Sequence, residues 1–127
     1  MRIDVLKAVY VSNFGAHNYA PAARFGAVVP LTNGNYPIFR TARLVEEITQ
    51  GLKNSTEDDY LLLSGSSIIA GIALAVWLTY HDKCNLPLYD RKTEEYVPRS
   101  ISGTELTLQV EATRDTERMD KIAREMR

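Results

Sequence analysis

The chain has a single cysteine, Cys84, so no intramolecular disulfide is available and the fold must rest on its apolar core. It has no surplus of positive charge: 15 Lys and Arg stand against 16 Asp and Glu, a formal net charge of -1. Nucleic-acid backbones are bound through many cationic contacts, so this balance argues against a nucleic-acid partner. Long hydrophobic runs are missing too. The most apolar one, Ile68 to Leu78, has 11 residues, whereas a bilayer-spanning helix needs about 20, and no membrane partner is expected. The opening MRIDVLKAVYVSN mixes Arg, Asp and Lys into its apolar residues, unlike a secretory signal, so a cytoplasmic location is the expectation.

Strong catalytic motifs are absent as well. There is no G-x-G-x-x-G, no G-x-x-x-x-G-K-[ST] and no G-x-S-x-G elbow. The two histidines and the one cysteine lack zinc spacing, and Asp58-Asp59 stand outside any EF-hand pattern, so neither a metal nor a cofactor is implied. Cys84 reads as a small buried hydrophobe at the start of a strand, with His81 separated from it by a helix-to-strand turn.

What is present is an ordinary globular balance, 45% hydrophobic and 24% charged over 127 residues, which suits one α/β domain. Val5 to Ser12 is rich in β-branched and aromatic residues and predicts a strand. A loop, NFGAHNYAPAARFG, follows, with a short helical turn at Pro21 to Arg24. Ala27 to Leu31 predicts an edge strand, because Pro30 cannot donate to a ladder, and Asn33-Gly34 predicts a tight turn. Over residues 41–53, Leu44, Val45, Ile48 and Leu52 fall on one face of an amphipathic helix with Thr41 as its N-cap. Tyr60 to Leu63 predicts a strand buried on both faces, and residues 66–81 a helix so apolar that other elements must cover it all round. With Asn85 to Tyr89 as the next strand, this order is a βαβ unit with parallel pairing. Glu95 to Ile101 reads as a further strand after a turn at Asp90-Arg91-Lys92, and Thr104 to Val110 alternates like a half-buried strand. A polar helix over 111–127 follows, with a stripe of Met119, Ile122 and Met126; it should dock or fray, because so polar a helix is marginal alone. The expectation is a small two- or three-layer α/β domain with a partly parallel sheet.

Two places could carry chemistry. The turn Ser64, Gly65, Ser66, Ser67 joins a strand end to a helix start, where free N–H groups and the helix dipole attract anions. Gly71 could serve close helix packing. Asp90 lies 25 residues after Gly65 and could accept from a ribose hydroxyl, near the usual spacing of about 20. The second place is Asn13 to Tyr19, whose Asn13 and His17 would share one sheet edge with that turn if the two strands run parallel, leaving His17 as the one candidate base. Capping and turn chemistry alone also account for these residues. The leading expectation is a small accessory protein acting through protein contacts or as a homo-oligomer. The alternative is a binder of, or enzyme on, a nucleotide or phosphorylated small molecule at Ser64–Ser67.

Overall fold

The computed structural model describes residues 7–126, so Val5 and Leu6 of the expected first strand lie outside the described residues. Five strands form one sheet in the order β2-β1-β3-β4-β5, where β1 is Ala8–Val11, β2 Ala27–Pro30, β3 Tyr60–Leu62, β4 Lys83–Asp90 and β5 Glu95–Ser102. The first four pair in parallel and β5 returns antiparallel to β4, which makes this a small α/β fold with a mostly parallel sheet. Helices α1 (Thr41–Leu52) and α2 (Ser67–Tyr80) lie between strands in sequence, and α3 (Gly103–Glu125) follows β5. A 3-10 segment, Ala20–Phe25, links β1 to β2, with Pro21 in its first turn as the sequence suggests.

The period-2 alternation of the strands divides the core. On one face Tyr10, Leu61 and Cys84 meet Leu44, Ile48 and Leu52 of α1 and Ile69, Ala73 and Trp77 of α2. On the other face Val9, Val11 and Leu62 meet Ala22 of the 3-10 segment, Tyr19 and Tyr96. Trp77 anchors the first cluster: it is fully buried, packs edge-on to Tyr10 at 6.0 Å, and its Nε1–H donates to the Lys83 carbonyl at 2.9 Å. A buried indole must find such an acceptor.

Several expectations need correction. Thr104–Val110 is not a strand but the first two turns of α3, which runs unbroken for 23 residues. The alternation of Leu106, Leu108 and Val110 finds no sheet to face. The backbone is instead drawn into a helix by its cap: Ser102 Oγ accepts from the Glu105 N–H, and Asp82 Oδ1 accepts from the Thr104 N–H at 2.8 Å. Nor is α2 covered all round. It buries Ile69, Ala73 and Trp77, while Ile68, Gly71 and Ala75 are exposed, so Gly71 packs against nothing. Val45 is likewise exposed, about 100° round the helix from the neighbouring Leu44 of the buried row. Thr41 is the first helical residue rather than the cap; Arg40 precedes it and its carbonyl accepts from the Leu44 N–H.

Candidate functional site

The chain leaves β1 toward β2 on one side and crosses back to β3 on the other, so the carboxyl ends of β1 and β3 form a topological switch point. At that edge the loop Asn13–Tyr19 and the turn Ser64–Ser67 come together. Ser12, fully buried, joins them: its Oγ donates to the Ser64 carbonyl at 2.6 Å and accepts from the Ser64 N–H at 2.7 Å. The Tyr19 hydroxyl lies 2.8 Å from Ser64 Oγ, accepts from the Gly15 N–H at 3.1 Å and donates to the Asn13 carbonyl at 3.3 Å. Asn13 Nδ2 donates to the Gly34 carbonyl, and its Oδ1 lies 2.9 Å from the Thr32 hydroxyl. Gly65 has φ +89°, and a Cβ there would stand 2.5 Å from Asn13 Cβ. Glycine is required for this contact.

The predicted residues are thus partly gathered and largely occupied. Asn13 and Ser64 are spent on holding the two segments together. Ser66 Oγ caps its own helix by accepting from the Ile69 N–H at 3.4 Å, and Ser67 is exposed in the first turn of α2. Asp90 serves the β4–β5 turn, its Oδ1 accepting from the Lys92 N–H at 2.9 Å. His17 is exposed beside this cluster.

Next to the switch point opens a cleft of about 630 Å³. One wall is Leu61–Gly65, the other Leu86–Tyr89, and His17, Asn18, Tyr19, Pro21, Glu94 and Tyr96 complete it. Of the predicted site residues, His17, Ser64 and Gly65 line it; Asn13, Ser66, Ser67 and Asp90 do not. The cleft lies beside the carboxyl end of β3, whose ladder with β4 has a single bridge, Tyr60 to Asn85. The hydrogen-bond register supplies the reason. Pro87 faces Pro98 across β4 and β5, and since neither has an N–H, these must form a non-hydrogen-bonded pair. The backbone of Asn85, Pro87 and Tyr89 therefore points away from β5, toward β3. On β3 the Leu62 carbonyl accepts from the Ser12 N–H of the chain leaving β1, which turns Leu61 and Leu63 toward β4. The next rung would run from residue 87 N–H to the Leu61 carbonyl, and proline has no proton to give. The ladder stops there.

Sequence reasoning missed this cleft. The interrupted ladder beside it did have a signal, two prolines, Pro87 and Pro98, that fall opposite one another in adjacent strand candidates. Three phenols, Tyr19, Tyr89 and Tyr96, gather in the wall; burial, with the neighbouring Tyr19 and Tyr89, raises the Tyr96 phenol above its usual value. Cys84, on β4, faces the core under α1 and α2, and burial pushes its thiol up to about 12, so it is a packing residue and not a thiolate. His81 Nε2 sits 2.8 Å from Ser55 Oγ, but that hydroxyl donates to the Leu52 carbonyl, so the imidazole is the donor and activates no nucleophile. Among the described residues no three His, Cys, Asp or Glu side chains converge as a metal site would require, and no helix is long and apolar enough to cross a membrane.

The other exceptional element is α3. At 1.5 Å per residue its 23 residues reach about 35 Å, and none of them is buried. Its base is fixed: Asp82 Oδ1 also accepts from the Thr104 hydroxyl, and Oδ2 from Ser102 Oγ. These bonds hold the Asp82 carboxyl below its usual range. Beyond the base, Leu108, Ala112, Asp115, Met119, Ile122 and Met126 recur at intervals of 4, 3, 4, 3 and 4 residues. Alternating steps of 4 and 3 are the heptad spacing of a helix-pairing seam, and its large members are about half exposed or more, from Ile122 at 45% to Met126 at 81%.

No curated protein and no solved structure matches the chain. The sheet and its two covering helices do have relatives at the level of sequence families: residues 7–102, ending at the residue before α3, match the family described as "Phage Pam3 gp32-like protein", and the chain belongs to that family.

Proposed function

We propose that this is a small accessory protein that works through protein–protein contacts, and that α3 is its self-assembly element. The observation that carries this reading is a 23-residue helix with no buried residue and a row at seam spacing that is apolar except for Asp115. An isolated helix gains too little from its backbone bonds alone to persist, and most helical stability comes from packing an apolar face. A second copy of α3 offers a face of matching period.

Charge favours an antiparallel pair. In a parallel pair Asp115 would meet Asp115 in the middle of the seam, a like-charge contact removed from water. Antiparallel pairing about Glu117 sets Leu108 against Met126, Ala112 against Ile122, and Asp115 against Met119, so every seam residue meets another. It also places Asp115 next to Arg118 of the second copy, the residue it already approaches at 3.6 Å within its own helix.

The test is light scattering coupled to gel filtration on the full chain and on a Met119→Glu, Ile122→Glu double variant. A dimer that the two charges convert to a folded monomer supports the reading. A wild-type monomer at about 100 µM, or a dimer indifferent to both substitutions, overturns it.

A further inference from the structure

We infer that the cleft beside the carboxyl end of β3 binds a small organic cation, an ammonium group carried on an apolar or aromatic body. The first support is a polar atom without a protein partner. Tyr96 is only 7% exposed, and its ring belongs to the core of Val9, Val11, Tyr19 and Leu62. Its hydroxyl makes no hydrogen bond with the described residues, yet it is not sealed from solvent, so it opens into the cleft that the residue lines. A buried phenol ordinarily finds a partner, and the direction left for one is the cleft. Tyr89, its cross-strand neighbour, has its ring centroid 5.2 Å away and its plane inclined by 60°, so the two rings make an aromatic corner.

The second support is the charge of the lining. No Lys or Arg lines the cleft, and Glu94 is its one carboxylate, so a cation finds a counter-charge there and an anion does not. Glu94 holds this place against its backbone preference. Its φ is 56°, in the left-handed region that glycine enters freely, and its N–H donates to the Asp90 carbonyl. Turn geometry alone favours glycine at that position; the glutamate adds negative charge to the cleft. Phenol rings and a carboxylate together suit an ammonium ion, the rings through their negative faces and the carboxylate through charge-assisted hydrogen bonds. The leucines of β3 and β4 in the lining offer surface to the apolar body. At about 630 Å³ the cleft falls within the roughly 300–1,000 Å³ usual for small-molecule sites. No residue of α3 lines it, so the site is separate from the helix seam.

The test titrates phenethylammonium into the isotope-labelled full chain, with phenethyl alcohol and phenylacetate as neutral and anionic matches of similar size. The ammonium compound should shift the Gly65 and Glu94 amide resonances saturably at millimolar concentration. It should bind roughly tenfold tighter than either match, the factor expected of a charge-assisted contact. Tyr96→Phe removes the hydroxyl and keeps the ring in the core, and it should weaken binding several-fold. Glu94→Gln should remove most of the preference over the alcohol, and Glu94→Lys should turn the preference toward phenylacetate. The dissociated Met119→Glu, Ile122→Glu variant should bind the ammonium compound as the wild type does, so this site and the helix seam stand or fall separately. No saturable shift of either amide at millimolar ligand, phenylacetate bound as tightly as the amine, or unchanged binding in Tyr96→Phe or Glu94→Gln would each overturn the inference.

Discussion

Pro87→Val converts the reason for the short β3–β4 ladder into a measurement. Valine restores an N–H at the position where the parallel ladder calls for one, facing the Leu61 carbonyl. An intramolecular hydrogen bond contributes about 1 kcal/mol net. Against this, removing a proline from a compatible position frees the unfolded chain and costs about 0.4–1 kcal/mol. The two effects nearly cancel, so the melting temperature should move by no more than a few degrees. The local effect does not cancel, because the unfolded-state entropy does not enter the making and breaking of one rung within the folded sheet. A bond of about 1 kcal/mol favours the bonded rung roughly fivefold. Amide hydrogen exchange reads this directly: the new valine amide should be protected, and Leu63, on the facing wall, should gain protection with it. A valine amide that exchanges at the rate of an open chain would show that the missing proline proton is not what ends the β3–β4 ladder.

Three other outcomes follow from the same geometry. Gly65→Ala meets both a positive φ and a Cβ 2.5 Å from Asn13 Cβ, so urea unfolding should show a loss of about 1–3 kcal/mol; an unchanged midpoint would mean the two segments are not in contact. In the antiparallel pair, a Leu108→Cys, Met126→Cys variant should oxidise to a covalent dimer, whereas Leu108→Cys alone should not, as gels without reductant will show. Asp82 has a carboxyl lowered from the usual 3.8 by its bonds to Thr104 and Ser102. A group lowered in the fold stabilises above its unfolded value and loses that contribution as pH falls through the folded one. Circular dichroism should therefore record a loss of helix below about pH 4 that is shallower in Asp82→Asn.

Local patterning carried most of the sheet. The β-branched run at Val9–Val11, the Pro30 edge and the strand, turn, helix, strand order around Ser64–Ser67 all appear where spacing placed them, because each reports a backbone preference that tertiary contacts did not override. Thr104–Val110 failed for a specific reason. Alternation of period 2 has meaning only where a sheet face waits for it, and here a carboxylate 22 residues upstream, Asp82, captured the backbone as a helix start. The surroundings of α2 failed likewise, since composition tells how apolar a helix is and not how many neighbours it has. At the candidate site, the meeting of the Asn13 loop with the Ser64 turn was legible from strand direction alone. The cleft beside it was not, because it depends on a register between β3, β4 and β5 that no single segment encodes.

The capped base of α3 has a mechanical consequence. A rod about 35 Å long that is held only at its first turn acts as a lever, and a tilt of about 10° there carries its far end about 6 Å. The four hydrogen-bonding groups around Asp82 and Ser102 therefore govern where Met126 can go, and a change at the carboxyl end of α2, transmitted through the neighbouring His81-Asp82 corner, would redirect the arm without touching it.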